Sequence, residues 1–481
     1  MEYILTGRSP VKVLKYFEEI SAIPRGSGNE AGIADYLVRF AEARSLEVMR
    51  DGANNVMIRK SGKGSKKDAP YVMLQGHTDM VCENNEGTNH DFMTDGIKLI
   101  LDGDTVTADG TTLGGDDGIA VAVMLALLDG DADVTPPLEC LFTTSEEVGL
   151  DGMQAFDCSQ VKSRLLINID SEDEGTATVA CAGGVRTDFD LGLSYEDNDA
   201  EACEVHVSGL AGGHSGADIN AFRANANKVA AMLAGAAKGD ESFRLVSISG
   251  GSKDNAIPRE CSFTFTSCDM KKAKEAIAAE AEKIRKTLAP CDSGFTLKLT
   301  DRTVKKAMTR ASSLSVLALI DALPYGVISM CREIPDLVET SSNLGVIRTD
   351  GSHFLATSSS RSSVDSKLDG VISRLESIAY LAGAKASHRA RYPGWDASGG
   401  SPLQSIYAET YERLTGKKPK ILGIHAGLEC GIVKGRIPDM DIISIGPDMH
   451  AIHSPDESFS IPSLDRTYSL IKEMLKTIAE R

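Results

Sequence analysis

The chain has 481 residues, and the 42% that are hydrophobic are spread along its length. One core rarely holds so many residues, so we expect a globular protein of two or three domains. The formal net charge of −18 argues against partners such as nucleic acid or anionic membrane surfaces, which would repel the chain. No apolar run reaches the roughly 18 residues of a membrane span, and the N-terminus lacks signal-peptide features.

The ten cysteines are scattered and form no Cys-x-x-Cys pair. In a long chain without a signal peptide, this pattern is typical of reduced thiols in a reducing cytosol. We therefore expect a cytoplasmic protein.

The first third of the chain alternates strand-like and helix-like segments. The runs NNVMIRK, YVMLQGH, LECLFTT and LLINID predict strands, and GIAVAVMLALLDG predicts a helix. Short apolar runs separated by a helix favour a mostly parallel sheet covered on both faces. The last stretch returns to this pattern, with two predicted helices around the strand DIISIGP.

The pattern changes after about Gly184. The runs CEVHVSG and ECSFTFTSC alternate at period two, as half-buried strands do, and two strand–helix–strand segments suggest a loose duplication. The Pro-, Gly- and Ser-rich YPGWDASGGSPL is typical of a linker. We predict one α/β domain, formed by residues 1–184 and 399–481 and interrupted by an inserted α+β domain at 185–398.

Side chains that can bind metal ions stand at the ends of the predicted strands and at the start of the predicted helix. In an open α/β sheet, the carboxyl ends of the strands line one crevice, where ligands bind. We therefore expect one cluster at this edge, made of His77, Asp79, Asp116, Asp117, Glu146, Glu147, Asp170 and His453.

Most of these residues also have a simpler explanation. The acidic pair at Asp116 could cap a helix, the pair at Glu146 could be a solvated turn, and His453 could be a surface residue. Asp170 is harder to explain in this way, because a carboxylate at the end of the largely apolar run LLINI needs a partner. No lysine or arginine in these motifs offsets the repulsion among the carboxylates, whereas a multivalent cation would.

The mixture of imidazoles and carboxylates suits zinc or a similar metal better than calcium or magnesium, which prefer oxygen ligands. There are more candidate ligands than one tetrahedral ion uses, so we expect two ions that share a carboxylate. Paired ions are a recurring device in hydrolases, and one of the adjacent glutamates would remain available as a base.

The series GHTDMV, LGGDDGIAVA, TTSEEVGLDGM, NIDSE, GGHSG, NAIP and AIHSPDE resembles the dinuclear zinc amidohydrolases, which include aminoacylases, carboxypeptidases and cytosolic dipeptidases. The resemblance extends over essentially the whole chain. Within that family, HAGLECG, the large inserted domain and the length are most similar to dipeptidases that cleave Xaa-His peptides. The resemblance implies a zinc-peptidase catalytic domain whose insertion serves as a lid and in dimerisation.

The resemblance also implies the ligand set. Asp116 would bridge two Zn²⁺ ions, with Glu147 and His453 on one ion and His77 and Asp170 on the other. Co²⁺ and Mn²⁺ are possible substitutes.

The same resemblance implies that Glu146 is the general base and that Asp79 orients the ring of His77. It further implies that the peptide bond between Asp116 and Asp117 is cis.

Residues of the inserted domain have less specific patterns. His214 in AGGHSG could belong to a Gly-rich turn, but the resemblance implies an oxyanion stabiliser that often comes from the partner subunit in relatives. Asn255 and Arg361 are suited to hold the C-terminal carboxylate of a substrate, although a surface role for Arg361 stays open. His425 and Glu429 in HAGLECG are predicted to line the pocket without binding metal.

The expected protein is a cytosolic, homodimeric zinc dipeptidase that hydrolyses Xaa-His and related, carnosine-like dipeptides. Alternatives are an N-acyl amino acid deacylase or a tripeptidase of the same family, and a non-catalytic binding relative. The presence of Glu146 and of all five ligands argues against the last alternative. The absence of a G-x-S-x-G motif argues against a serine hydrolase.

Overall fold

The computed structural model describes residues 3–66, 69–397 and 400–481. Within these residues, every helix is too short or too polar to cross a membrane. The helices are α1 (Val11–Ser21), α2 (Ala31–Glu42), α3 (Gly115–Leu128), α4 (Asp151–Ala155), α5 (Ala226–Ala237), α6 (Met270–Arg285), α7 (Arg310–Ala322), α8 (Asp365–Ala382), α9 (Pro402–Thr415), α10 (Glu429–Arg436) and α11 (Ile461–Glu480).

The strands range from two-residue bridges to long central strands. They are β1 (Glu47–Arg50), β2 (Val56–Lys60), β3 (Val72–His77), β4 (Leu99–Asp102), β5 (Thr105–Ala108), β6 (Leu138–Thr143), β7 (Leu165–Asn168), β8 (Thr176–Cys181), β9 (Gly183–Gly192), β10 (Tyr195–Asp197), β11 (Ala202–Ser208), β12 (Gly213–His214), β13 (Arg244–Gly250), β14 (Ala256–Ile257), β15 (Cys261–Thr266), β16 (Thr296–Arg302), β17 (Lys306–Met308), β18 (Gly326–Met330), β19 (Val338–Asp350), β20 (His353–Ser362), β21 (Lys385–Tyr392), β22 (Lys420–Ile424), β23 (Asp441–Ser444), β24 (Met449–His450) and β25 (Ser458–Ser460).

The chain divides into two compact units. The first unit comprises Met1–Ala180, Ala397–Gly423 and Leu428–Arg481, and the second unit comprises Cys181–Asp396 and Ile424–Gly427. The predicted boundary between residues 398 and 399 lies outside the described residues.

A short segment of the last predicted domain packs within the second unit. The carbonyl of Ala426 accepts a hydrogen bond from the amide of Ala182 at 2.9 Å. The ring of His425 contacts the hydroxyl of Ser341 at 2.7 Å. These contacts explain why Ile424–Gly427 belongs with the second unit, although the sequence around it is assigned to the first.

The first unit contains a sheet with the strand order β1-β2-β6-β3-β7-β23-β8-β22. Its centre, from β6 through β3 and β7 to β23, is parallel. Three pairs are antiparallel, namely β1 with β2, β2 with β6, and β8 with β23. All residues of β3 and β6 are buried, as expected for strands covered on both faces. The predicted mixed α/β fold with a mostly parallel central sheet is confirmed.

Helix α3 is buried along its whole length, so its apolar residues surround it on all sides. Its first turn is irregular, because the peptide bond between Asp116 and Asp117 is cis and neither residue has helical φ/ψ angles. At the other end, Asp129 pairs with Lys12 at 2.8 Å and with Arg44 at 2.7 Å.

Gly76 lies inside β3, within the run YVMLQGH that predicts this strand. A Cβ atom at this position would lie 2.3 Å from Asp117 Oδ2 and 2.3 Å from the Cβ of Ala120. The glycine is therefore required by the close packing of α3 against β3.

The second unit contains a larger sheet with the order β16-β11-β15-β13-β19-β20-β9-β21, and β18 pairs with β19. Its recorded strand pairs are antiparallel. Helices α5 to α8 share a hydrophobic core with this sheet. The two predicted strand–helix–strand segments are β15–α6–β16 and β20–α8–β21. In each segment the two strands flank a third strand, which is β11 in the first and β9 in the second.

Candidate functional site

The ends of three parallel strands lie side by side in the first unit. Strand β3 lies between β6 and β7, with His77 opposite Thr143 and Gln75 opposite Asn168. The loops that follow β6 and β7 therefore begin next to His77, and these loops carry the predicted acidic residues.

The five predicted metal ligands form two groups that share Asp116. His77 Nε2 lies 3.0 Å from Asp116 Oδ1 and 3.8 Å from Asp170 Oδ1. His453 Nε2 lies 3.1 Å from Asp116 Oδ2 and 3.0 Å from the Glu147 carboxylate. The candidate ligand atoms of each group lie within 4.8 Å of one another. Each oxygen of the Asp116 carboxylate thus faces a different histidine.

This donor set fits two divalent metal ions of borderline softness. Each group combines one imidazole nitrogen with two carboxylates, and one carboxylate is common to both groups. Over the described residues, no lysine or arginine forms an ion pair with Asp116, Glu147 or Asp170. The backbone of His453 has a φ of +61°, a strained conformation for a residue with a side chain, and such strain is concentrated at functional sites.

Asp79 is fully buried and touches both the histidine and the acidic loop. Its Oδ1 lies 3.4 Å from His77 Nδ1. Its carboxylate also accepts hydrogen bonds from the amides of Glu146 at 3.0 Å and Glu147 at 3.2 Å, and from the hydroxyl of Ser27 at 2.8 Å. Burial opposes charge on this carboxyl, but His77, Ser27 and the Glu146 amide outweigh it and lower the pKa of Asp79. Asp79 therefore fixes the loop that carries Glu146 and Glu147 relative to the ring of His77.

Glu146 lies beside the ligand groups and forms a third cluster with His77 and Glu147. Burial raises the pKa of the Glu146 carboxyl; the charge on His77 opposes this shift, and the carboxylates of Glu429 and Glu147 add to it. The preceding residue, Ser145, has a φ of +52°. Glu146 is thus a poorly hydrated carboxyl in a strained loop next to the candidate ligands.

Glu429 is fully buried at the start of α10, in the first unit. Its Oε2 accepts hydrogen bonds from Gln75 Nε2 at 2.5 Å and from Thr143 Oγ1 at 2.7 Å. Gln75 in turn accepts one from Asn168 Nδ2 at 2.7 Å. Burial raises the pKa of Glu429 to about 7. The structure thus brings Glu429 against the strand residues that precede the candidate ligands.

Sequence reasoning overlooked Arg25 and Glu457, which hold the loops of this site. Arg25 is 1% exposed, and its guanidinium donates to the carbonyls of Thr78 at 3.0 Å, Asp79 at 3.3 Å and Gly114 at 2.5 Å. The motif IPRGSG gives no signal for this role, because all three acceptors are backbone groups of distant residues. Glu457 lies in AIHSPDE, four residues after His453, where a carboxylate of unassigned role was already visible.

Four of the predicted residues belong to the second unit, and His214 is next to Asn255. Strand β12 pairs with β14, which sets His214 opposite Ala256. The amide of Ser215 donates to the carbonyl of Asn255 at 2.8 Å. The Asn255 residue is exposed, so its amide group is accessible to a ligand.

The hydrogen bonds of His214 define its tautomer. Its Nδ1 accepts from the amides of Gly216 at 3.3 Å and Ala217 at 3.1 Å. Burial, and then the charge of Arg361, lower the pKa of His214. A neutral imidazole whose Nδ1 is an acceptor carries its proton on Nε2, so the Nε2 of this ring is a hydrogen-bond donor.

Arg361 is 6% exposed, and one of its hydrogen-bond donors has no acceptor among the described residues. Its Nη1 donates to the hydroxyl of Tyr392 at 2.9 Å, and its Nε has no hydrogen-bond partner. No carboxylate in the described part of the chain forms an ion pair with it. A buried cation of this kind is a suitable site for an anionic ligand group.

His214, Arg361 and His425 converge around Gly216. A Cβ atom on Gly216 would lie 2.4 Å from the His425 carbonyl, 3.1 Å from His214 Cε1 and 3.3 Å from Arg361 Nε. Burial, followed by the charge of Arg361, lowers the pKa of His425 to about 3, so this ring is neutral. The cluster around Gly216 therefore contains one cation and two neutral imidazoles, and the glycine itself leaves room for them because it has no side chain.

Histidines and carboxylates at the strand ends of a mixed α/β sheet are typical of metal-dependent hydrolases. The chain belongs to Peptidase family M20/M25/M40, whose family model matches residues 73–477, and it is therefore a peptide-bond hydrolase. This finding confirms the family resemblance of the motif series.

Three of the similar proteins match over nearly the whole chain. The cytosol non-specific dipeptidase of Escherichia coli (strain K12) is 38% identical over 480 residues, which cover 98% of this chain and 99% of that protein. The crystal structure of aminoacylhistidine dipeptidase from Vibrio alginolyticus matches with a TM-score of 0.92 at 36% identity and covers 99% of this chain and 98% of that one. The aminopeptidase PepT from Bacillus cereus has a TM-score of 0.57 at 15% identity over 98% of both chains, a likeness of fold alone.

Proposed function

We propose that the chain is a metal-dependent dipeptidase that hydrolyses Xaa-His and related dipeptides. The observation that carries this proposal is the Asp116 carboxylate, whose two oxygens face the imidazoles of two different ligand groups. A carboxylate shared in this way is typical of dinuclear hydrolases. The substrate class follows the two full-length relatives, which are named as a non-specific dipeptidase and an aminoacylhistidine dipeptidase.

Two Zn²⁺ ions are the proposed cofactors, with Co²⁺ or Mn²⁺ as substitutes. His77, Asp116 and Asp170 would hold one ion, and Asp116, Glu147 and His453 would hold the other. When bound, such ions lower the pKa of a water molecule and polarise the scissile carbonyl.

Glu146 is the proposed general base. Its carboxylate takes a proton from the attacking water and delivers it to the leaving amine as the peptide bond breaks. The backbone amide of Glu146 is held by Asp79, which also contacts the ring of His77. Asp79 thus keeps the base and one metal-binding imidazole in a fixed relation.

The cluster around Gly216 is proposed to bind the substrate and to stabilise its transition state. Arg361, together with the exposed amide of Asn255, would hold the C-terminal carboxylate of the dipeptide. His214 would donate its Nε2 proton to the developing oxyanion, either within its own subunit or across a homodimer. His425 would line the pocket as a neutral group.

Glu429 is proposed to line the substrate pocket, and its carboxylate accepts hydrogen bonds from Gln75 and Thr143. A cytoplasmic location is proposed as well, and the name of the Escherichia coli relative supports it.

The test is metal analysis of the purified protein combined with a substrate panel. Elemental mass spectrometry should find two metal ions per chain, and a strong zinc chelator should abolish hydrolysis until Zn²⁺, Co²⁺ or Mn²⁺ is added. The panel should contain β-Ala-His, other Xaa-His dipeptides, dipeptides without histidine, a tripeptide and an N-acetyl amino acid.

The proposal requires that dipeptides are hydrolysed faster than the tripeptide and the N-acetyl amino acid. Faster hydrolysis of the N-acetyl amino acid would make the chain a deacylase. Full activity in a verified metal-free sample would exclude the proposed mechanism.

A further inference from the structure

The carboxylate of Glu457 binds the loop that carries Asp116. Glu457 is 2% exposed. Its Oε2 accepts hydrogen bonds from the amides of Leu113 at 2.8 Å and Gly114 at 3.0 Å, and its Oε1 accepts from the amides of Gly115 at 2.8 Å and Asp116 at 3.2 Å. One side chain therefore satisfies four consecutive backbone donors.

These donors need an acceptor from elsewhere in the chain. The first amides of a helix have no partner within the helix, and the cap is normally a side chain of the residue that precedes it. Here the cap residue of α3 is Gly114, which has no side chain and a φ of +68°. A carboxylate is the strongest acceptor for such donors, and Glu457 supplies it across a separation of more than three hundred residues.

The same glutamate is tied to His453 by a short piece of chain. The amide of Glu457 donates to the carbonyl of Ser454 at 3.1 Å, which closes a turn directly after His453. His453 itself lies 3.1 Å from Asp116 Oδ2. Glu457 thus connects the backbone of Asp116 with the segment that carries the histidine facing it.

We infer that Glu457 is a positioning residue that sets the separation between Asp116 and His453. This inference rests on the proposed function, in which these two residues share a metal ion. The other side of the Asp116 loop is held separately, because Arg25 joins the Gly114 carbonyl to the Thr78 carbonyl next to His77. Loss of Glu457 should therefore lower the metal affinity of the group that contains His453 more than that of the group that contains His77.

The test compares Glu457→Gln with Asp456→Asn in metal-free protein. A glutamine has one acceptor oxygen, and its amino group would face backbone donors, so at least part of the amide cluster loses its acceptor. Asp456→Asn removes the same charge one residue earlier, at an exposed position. Glu457→Asp keeps the charge on a shorter side chain. This variant should therefore retain part of the amide protection and of the metal affinity that Glu457→Gln loses.

Two measurements are made on each variant. Hydrogen exchange in the absence of metal should be faster at residues 113–116 in Glu457→Gln and unchanged in Asp456→Asn. Titration with Co²⁺, followed by its absorption spectrum, should give two sites in the native protein. In Glu457→Gln one site should weaken by roughly tenfold or more, as expected from the loss of a hydrogen bond to a charged group.

The outcomes separate this inference from the function on which it rests. If the native protein binds no Co²⁺ or Zn²⁺, the proposed metal centre fails. If the native protein binds two ions and Glu457→Gln binds both with native affinity, Glu457 only caps α3 and the inference is wrong. Equal weakening of both sites, or an equal effect in Asp456→Asn, would also overturn it. Should Glu457→Gln fail to fold, the same comparison is made with Glu457→Asp.

Discussion

Replacement of Arg361 by glutamine tests the proposed carboxylate site. The guanidinium uses Nη1 on Tyr392 and leaves Nε without a partner, so a substrate carboxylate could accept at least one hydrogen bond from it. A hydrogen bond to a charged group contributes about 1.5–3 kcal/mol. Losing it should lower kcat/KM for a dipeptide by roughly ten- to 150-fold, since each 1.4 kcal/mol corresponds to about a factor of ten.

The assay compares a dipeptide with its C-terminal amide for each protein. The native enzyme should prefer the free acid, and Arg361→Gln should lose most of this preference, because only the acid depends on the cation. Arg389→Gln is the matched control, since Arg389 lies in the same sheet but is 52% exposed and paired with Asp188. Arg361→Lys should restore little, because an ammonium lacks the planar fork of donors.

A stability measurement distinguishes binding from a structural role. Because Arg361 is buried without a carboxylate partner in the described chain, its removal should leave Tm unchanged or raise it. If Arg361→Gln keeps the native ratio between acid and amide, Arg361 does not bind the substrate carboxylate. A large drop in Tm would show that the side chain serves the fold.

The remaining predictions concern the base, the proposed oxyanion donor and a surface ion pair. Glu146→Gln should keep both metal ions and lower kcat by roughly 10²–10⁴, whereas Glu147→Gln should lose metal; elemental analysis would reveal the reverse assignment. His214→Ala should lower kcat by the equivalent of about 2.7–4 kcal/mol with native metal content and Tm. If His214 acts across a dimer, a mixture of His214→Ala and Glu146→Gln subunits should regain activity. Labelled protein verifies that the subunits exchange. Burial opposes charge on Asp129, but its two cationic partners outweigh this effect and lower its pKa to about 2, so Asp129→Asn should cost stability at neutral pH. After allowance for solvent screening we expect a loss of about 1 kcal/mol in urea unfolding. The loss should be constant above about pH 5, shrink progressively between about pH 5 and pH 1, and be absent in the exposed control Asp133→Asn.

The strands around the site could be predicted because their runs are short and largely apolar. The parallel register then follows from the helix between them, and it brings the ends of β3, β6 and β7 to one edge. This is why the sequence predicts one cluster for His77 and the acidic residues of three separate motifs.

Other features could not be predicted, because they depend on backbone groups that are distant in sequence. Arg25 binds carbonyl oxygens, which every residue has, so its sequence context carries no signal. The run YVMLQGH predicts the strand that contains Gly76, but it gives no sign that the small size of this residue serves the contact with Asp117. His425 and Glu429 stand four residues apart in one motif, and yet they belong to different units.

Hydrogen bonds satisfy some of the clustered carboxylates without a metal ion. Asp79 is satisfied by two amides and a hydroxyl. Glu457 is likewise satisfied by backbone donors, so neither carboxylate requires a cation. The case therefore rests on Asp116, Glu147 and Asp170, whose closest recorded partners are the two imidazoles. These three residues, and not the whole acidic cluster, are the ones whose replacement should abolish metal binding.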